Sequence, residues 1–349
     1  MSTMIEAIVV GATGYVGGEL LRLLASHPRL SLRAACSESR AGEAIGKVFP
    51  HLQASFPDRV FESISALDPS SSTVPLAVFS AANHGESASR VASLLRRSRR
   101  PVHVVDLSAD FRFATAATYE AIYEHPHPAP ELLEGFRCVV PEHARSADTP
   151  HIAHPGCFTT AALLAIVPLL DERLVEPELF VTGVTGSTGA GTTPRDTTHH
   201  PVRHANLFAY NPLAHRHAPE MEALAEAAAG ERPTVHFIPH SGPFARGIHV
   251  TVQAKLRGAY ETTTVRDALE RYYSSAPFVR VVEGTPRLKD VVGSNYAQIG
   301  VAADGRSVAV FSVIDNLLKG AAGGAVQWMN RLLGYPEDMG LVQPAAGWI

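Results

Sequence analysis

His154-Pro155-Gly156-Cys157 runs directly into an apolar stretch from Ala161 to Leu170. A tight Pro-Gly turn there sets a cysteine at or near the first residue of a buried helix. The unpaired N–H groups and the positive dipole end of a helix favour thiolate over thiol. A thiolate attacks acyl carbons, so the stretch points to acyl chemistry; the alternative is a packed structural cysteine. A nucleophile of this kind needs a partner that exchanges protons near neutral pH. His217, 60 residues further on in His215-Arg216-His217-Ala218-Pro219-Glu220, fits that need, with His215 the next choice. The His-x-His pair has no third ligand at convincing spacing, so no metal is expected. His199, His200 and His204 read as loop residues, the first two close to the site.

A second constellation lies near the N-terminus. Glycines at 11, 14 and 17 form G-x-x-G-x-x-G within Gly11-Ala12-Thr13-Gly14-Tyr15-Val16-Gly17, between a strand pattern at 5–10 and a helix pattern at 19–24. Missing side chains let backbone approach a pyrophosphate, and the helix N-terminus faces its charge, so the turn predicts a dinucleotide site. The next strand ends in Cys36-Ser37-Glu38-Ser39-Arg40. Glu38, 21 residues past Gly17, is placed to bind the ribose hydroxyls of NAD, whereas Ser37, Ser39 and Arg40 suit the 2′-phosphate of NADP. The second reading is preferred, which makes the cofactor NADP. Arg112, in Asp106-Leu107-Ser108-Ala109-Asp110-Phe111-Arg112 after another strand, suits a carboxylate or phosphate, and Asp110 suits a turn cap.

The elements that carry these residues alternate at first. Strand patterns at 5–10, 30–36, 76–80 and 102–106 flank helix patterns at 19–24 and 86–97. That predicts an α/β fold with a Rossmann-type, doubly wound parallel sheet. Past residue 150 the strand patterns at 180–185, 235–239, 248–254 and 307–313 predict an α+β domain with a mixed, largely antiparallel sheet. A long segment rich in Gly, Thr, His and Pro, 186–219, interrupts it and reads as functional. A closing helix at 317–333 returns to the first domain. The expected division is 1–153 with 316–349 for the cofactor and 154–315 for catalysis and assembly.

Composition excludes several classes. The 349 residues are 46% apolar and 18% charged, which suits two domains with sizeable cores. A net charge of −4 argues against a nucleic-acid partner, and Arg96 to Arg100 reads as a solvated helix end. Three cysteines and no secretory leader fit a reduced cytoplasm without disulfides. No apolar stretch reaches membrane-spanning length.

Taken together, the glycine turn, 106–112, His154 to Cys157, His215 to Glu220, His236-Phe237-Ile238-Pro239-His240 with Arg246-Gly247-Ile248, and Asp315 to Gly323 resemble the N-acyl-γ-glutamyl-phosphate reductases of arginine biosynthesis. These are relatives of aspartate-semialdehyde dehydrogenase, and the resemblance spans nearly the whole chain. It implies Cys157 as nucleophile through a thioester, His217 as acid/base and NADPH as reductant. It also implies that 186–191, with Ser187 and Gly189, lies near nicotinamide and substrate, and that Asn316 lies near the cofactor. Arg112 and Arg246 would hold substrate anions, with Phe158 and His215 counted to the substrate site. Homodimers or homotetramers through the second domain follow from the same resemblance. Asn83 stands where many members have Pro, and 192–205 is longer than usual. Both border the acyl pocket in this reading, so acetyl, succinyl or a lysine-pathway aminoadipyl substrate stays open. Beyond the family, a Cys/His hydrolase and a non-catalytic nucleotide sensor are the competing classes.

Overall fold

Ile5-Glu6-Ala7-Ile8-Val9-Val10 is too apolar for a half-exposed strand. It forms β1 (Ile5–Val10) in the middle of a parallel sheet, covered on both faces. The computed structural model describes residues 4–70 and 74–348. The chain divides into one unit built from Met1–Val139, Ser146–His154 and Ala322–Leu341, and another from Val140–Arg145, Pro155–Ala321 and Val342–Ile349. Compared with the boundaries expected from sequence, 140–145, 316–321 and 342–349 fall in the second unit. A buried ion pair between Glu142 and Lys319 ties the first two of these segments together there.

The first unit holds β1, β2 (Leu30–Cys36), β3 (Phe61–Glu62), β4 (Leu76–Ser80), β5 (Val102–Asp106), β6 (Phe136–Cys138) and β7 (His151–Ala153). Their order is β3-β2-β1-β4-β5-β7-β6, and every neighbouring pair is parallel. The winding reverses between β1 and β4, which is where ligands of such sheets bind, beyond the carboxyl ends of the strands. Helix Tyr15–Ala25 leads from β1 to β2, and helix Ser87–Arg97 from β4 to β5. Helix Gly323–Leu332 packs on β5 and on helix Tyr15–Ala25, and Trp328 Nε1 donates to Val139 O at 2.9 Å. The closing helix differs from its expected course. Residues Leu318–Ala322 form a wider π turn before the α-helix starts. The Asp315 carboxylate takes the N–H groups of Leu317 and Leu318, and Gly320 N–H reaches back five residues to Asp315 O.

The second unit holds β8 (Val175–Thr185), β9 (Phe208–Ala209), β10 (Thr234–Ser241), β11 (Ile248–Leu256), β12 (Val279–Val281), β13 (Ala297–Ala303) and β14 (Ser307–Ile314). The order is β12-β13-β14-β11-β8-β10-β9; β8–β10 and β12–β13 are parallel and the other pairs antiparallel. Helix Cys157–Asp171 is apolar all round because it lies in the middle of this unit. It packs against helices His217–Ala229 and Thr262–Tyr272 and against β8, β11 and β14. Leu163, Leu164, Ile166, Val167, Leu169 and Leu170 are each at most 1% exposed. Each such burial contributes about 1.5–3 kcal/mol, so the helix that starts at Cys157 is a fixed platform. The opposite face of the sheet is open: on β8 Leu179 and Val181 point inward while Phe180 is 52% exposed.

Candidate active site

Cys157 is the first residue of its helix, as the Pro-Gly turn implies, and Gly156 is the N-cap with no side-chain cap. The first-turn N–H groups have no acceptor within the helix, and no acidic residue stands in that turn to oppose a thiolate. Cys157 is half-buried and forms no disulfide. By contrast, Cys36 is buried and its thiol is pushed up to about 12, chiefly by burial. Glu220, fully buried on helix His217–Ala229, accepts the Gly156 N–H at 2.6 Å through Oε1. Its helix neighbour His217 lays its ring on the other side of the same residue. A Cβ added at Gly156 would come 2.4 Å from His217 Nε2. One glycine therefore joins the nucleophile, the imidazole and a carboxylate. Glu220 has no signal in the local sequence beyond its place in His-x-x-Glu, because it acts through a backbone N–H far away in the chain.

His215 accepts the His217 backbone N–H at 3.1 Å through Nδ1, so it fixes the helix start. Burial and the Arg216 cation push its imidazole down to about 4. It is neutral at pH 7, with its proton on Nε2. Tyr210, 5.7 Å from His215 between ring centroids, has its phenol raised by burial and by the charge of Cys157. Phe158, counted to the substrate site on the resemblance, has most of its ring in the protein interior. It is 2% exposed and packed in the core, with Phe237 at 5.2 Å, His215 at 6.2 Å and His217 at 6.3 Å between ring centroids. An aromatic side chain on the second residue of a buried helix points into the core and there backs the two histidines.

Arg246 lies 24% exposed by side chain and grips Asp315 with a two-pronged contact. Nε reaches Oδ2 and Nη2 reaches Oδ1, both at 3.1 Å. Asp315 also accepts Gly293 N–H at 2.8 Å. Next to it, the Asn316 amide accepts Gly247 N–H at 2.7 Å and donates to Thr188 Oγ1 at 3.0 Å. The backbone of 186–188 bonds to 244–247, so Ser187 and Gly189 sit on a loop clamped by Asn316. Asp315 is a second carboxylate whose role local sequence could not reveal. The segment 192–205 is largely exposed, and Arg203 anchors it by a 2.7 Å bond to Ser241 Oγ.

In the first unit the glycine turn has the predicted shape. Gly11 has φ +72°, and a Cβ there would meet Ala81 O at 2.5 Å. A Cβ on Gly17 would meet Ala12 backbone at 2.6 Å, whereas at Gly14 nothing lies nearer than Gly11 O at 3.9 Å. Gly14 is the uncapped N-cap of helix Tyr15–Ala25. The open face at Gly14 and the free helix start thus fit a pyrophosphate, with Thr13, Tyr15 and Val16 beside it. At the end of β2 the Glu38 carboxylate is tied to Ser63 Oγ and Ile64 N–H, at 2.7 and 2.9 Å. These bonds, that to Ser63 first, hold its pKa below the usual range. What remains for a ribose substituent is Ser37, Ser39 and Arg40, which suits a phosphate. Ser37 lies 3.3 Å from Thr13 Oγ1 and 3.4 Å from Ser39 Oγ.

Arg112 lies on the loop after β5. It is 8% exposed, and its guanidinium donates to the carbonyls of His154 at 3.2 Å and Leu107 at 3.0 Å. These bonds hold the guanidinium in the loop after β5. Asp110 caps helix Ser87–Arg97, accepting Gly85 and Ala88 N–H at 2.7 and 3.0 Å. No group of histidines, cysteines and carboxylates among the described residues could hold a metal. No helix among them is long and apolar enough to cross a membrane.

Two family models match the chain in succession. One is described as "Semialdehyde dehydrogenase, NAD binding domain" over residues 6–146, the other as "Semialdehyde dehydrogenase, dimerisation domain" over residues 157–316. Proteins named N-acetyl-gamma-glutamyl-phosphate reductase in Methanopyrus kandleri and Rhodospirillum rubrum are 41% and 39% identical to it. Both alignments cover 98% of this chain and 99% of the relative. Among solved structures, aspartate semialdehyde dehydrogenase II from Vibrio cholerae superposes with a TM-score of 0.71 at 20% identity, covering 95% of this chain and 99% of that one. Aspartate semialdehyde dehydrogenase with NADP from Candida albicans superposes with 0.66 at 17%, covering 97% and 100%. At those identities the likeness is one of fold.

Proposed function

The chain belongs to the semialdehyde dehydrogenase family, among the N-acetyl-gamma-glutamyl-phosphate reductases, and from that premise we propose that it reduces N-acetyl-γ-glutamyl phosphate to N-acetylglutamate semialdehyde and phosphate in arginine biosynthesis, with NADPH as reductant. The observation that carries the reading is the arrangement at Gly156. A cysteine opens a buried helix, and an imidazole rests on the residue before it.

The Cys157 thiolate attacks the γ-acyl carbon, and the C–O bond to phosphate breaks, leaving a thioester and phosphate, which takes up one proton from water as it departs. The thioester carbonyl carbon would accept the hydride that NADPH supplies when bound. The C–S bond then breaks, releasing the aldehyde and the thiolate. First-turn N–H groups of the Cys157 helix steady the developing oxyanion, an effect worth about 3 kcal/mol per donor. His217 carries the proton to that oxygen and takes it back as the aldehyde leaves. Arg246, aimed by Asp315, would hold a substrate anion. The turn at Gly11, Gly14 and Gly17 would hold the cofactor pyrophosphate, and Ser37, Ser39 and Arg40 its 2′-phosphate. Ser187, Gly189 and Asn316 belong to the loop assigned to the nicotinamide side. The same reading makes the enzyme a cytoplasmic homodimer or homotetramer, assembled through the open face of the second sheet.

The test follows the reverse reaction at the nicotinamide absorbance, with NADP, phosphate and either N-acetyl- or N-succinyl-glutamate semialdehyde. Turnover with the acetyl compound that requires phosphate is expected. Cys157→Ser should lower kcat by roughly a thousandfold or more, since a serine hydroxyl stays protonated at neutral pH and is a far weaker nucleophile than a thiolate. Near-parental turnover in that variant sinks the thioester. Preference for the succinyl compound would reassign the acyl group, and turnover with neither would overturn the reading.

A further inference from the structure

Lys319 is fully buried, and its Nζ bonds Glu142 Oε1 at 2.5 Å; the Glu142 side chain is 1% exposed. The Phe278 ring centroid lies 5.7 Å from the same Nζ. Such a pair is a poor device for stability alone, because the desolvation of two ions offsets much of their attraction and an apolar pair of equal volume does as well. Its place in the fold gives it another use. Lys319 is the second residue of the π turn Leu318–Ala322, a geometry less favourable than an α turn and rarely kept without a constraint. The third residue of that turn, Gly320, lies against the nucleophile. A Cβ added there would come 2.9 Å from Cys157 Cβ and 3.3 Å from its Cα. The neighbour of Glu142 braces the other side of the same helix. His143 Nε2 lies 3.2 Å from Tyr273 Oη, and Tyr273 Oη donates to Leu164 O at 2.7 Å. Leu164 is on the helix that begins at Cys157.

We propose that the Lys319–Glu142 pair positions the nucleophile, locking the π turn so that Gly320 stays seated against Cys157. The inference rests on the assignment of Cys157 as the attacking group. Lys319 and Glu142 touch neither substrate nor cofactor in it; they act through the backbone of Gly320.

The test replaces both charges at once, Lys319→Met with Glu142→Leu, so that no unpaired ion is left buried. Thermal melting checks the fold. Steady-state kinetics separates kcat from KM, and iodoacetamide labelling at pH 7 without substrate, followed on the peptide that carries Cys157, reads that thiol apart from the half-buried Cys138. The expected result is a folded protein with KM within about twofold of the parent, and with kcat and labelling rate each reduced about tenfold or more. A folded double variant with parental kcat and labelling rate overturns the proposal and leaves the pair a structural tie. Should the double variant not fold, Lys319→Arg keeps the cation but changes its length and shape. It is read the same way: lowered kcat at unchanged KM supports the proposal, and parental values overturn it. Parental reductase activity is measured alongside. Its absence would refute the assignment of the reaction, while the labelling rate still judges the pair.

Discussion

At Gly156 a single hydrogen atom in place of a side chain decides how closely the His217 ring approaches the start of the Cys157 helix. The His217 ring occupies the volume a methyl group would need, 2.4 Å from a Cβ at that position. Its helix is anchored by Glu220 below and His215 at its start, so the ring and not the helix has to yield. Gly156→Ala is therefore expected to displace the imidazole by about 1 Å and lower kcat about a hundredfold with little change in KM. A parental kcat in a variant that melts at the parental temperature would remove His217 from the proton path. At the cofactor end, Arg40 is exposed and pairs with Glu43 at 3.2 Å, a surface pair of little strength. Arg40→Ala should weaken NADPH binding about tenfold, the loss of one charge-assisted bond, and leave NADH unaffected. Glu38→Ala should change neither, because that carboxylate is engaged by Ser63 and Ile64. Fluorescence titration with both nucleotides checks this, and an equal loss for NADH would contradict the phosphate assignment.

What is legible at the level of elements depends on length and locality. β1, the glycine turn and the helix behind it can be read from 5–25 because apolar period, turn chemistry and helix start all lie within a few residues. β3, β6 and β7 cannot, since two or three residues show no period. The π turn at Leu318–Ala322 reads as helix because its apolar spacing is helical; the Asp315 carboxylate that reshapes it acts through backbone N–H groups. The cysteine at a helix start and the histidine proposed as its partner can be picked out from residue type and spacing, whereas the burial of Arg112 and Phe158 has no local signal. β8 shows a further limit. Its alternation marks one face as buried, yet Phe180 stands on the other, 52% exposed, with the His236 ring stacked at 4.9 Å between centroids. An exposed phenylalanine with a half-buried histidine stacked on it, in the middle of an open sheet face, suits contact with a second copy through the same face. Phe180→Glu places four like charges across the two-fold of such a contact together with Glu178, and should shift the protein to monomer in sedimentation at micromolar concentration. Retention of the parental oligomer would move the interface elsewhere.

The whole molecule carries an acid sensitivity spread over both units. Burial pushes His151 in the first unit, and His143 and His215 in the second, down to about 4, aided by His103, Lys319 and Arg216 respectively. Burial also lowers His27, His103 and His249. In the unfolded chain these imidazoles titrate near 6.5. The unfolded state therefore binds more protons below that value, and the stability these groups contribute is complete above pH 6.5 and lost as pH falls towards 4. Asp106 works in the opposite sense. Burial raises it to about 6 against Ser108 and Ser87, so its contribution is present at low pH and fades as pH rises from about 4 to 6. One carboxyl group cannot offset six histidines, so stability should drop on acidification. Between pH 7.5 and 5 the melting temperature is expected to fall by several degrees, at roughly 2–4 °C for each kcal/mol lost in a protein this size. Calorimetry across that range reads it directly. A melting temperature that stays level or rises towards pH 5 would mean that the buried rings are already protonated in the native fold. His143 would then carry a charge beside Lys319, and the single cation that faces Glu142 in the brace behind Cys157 would have become two.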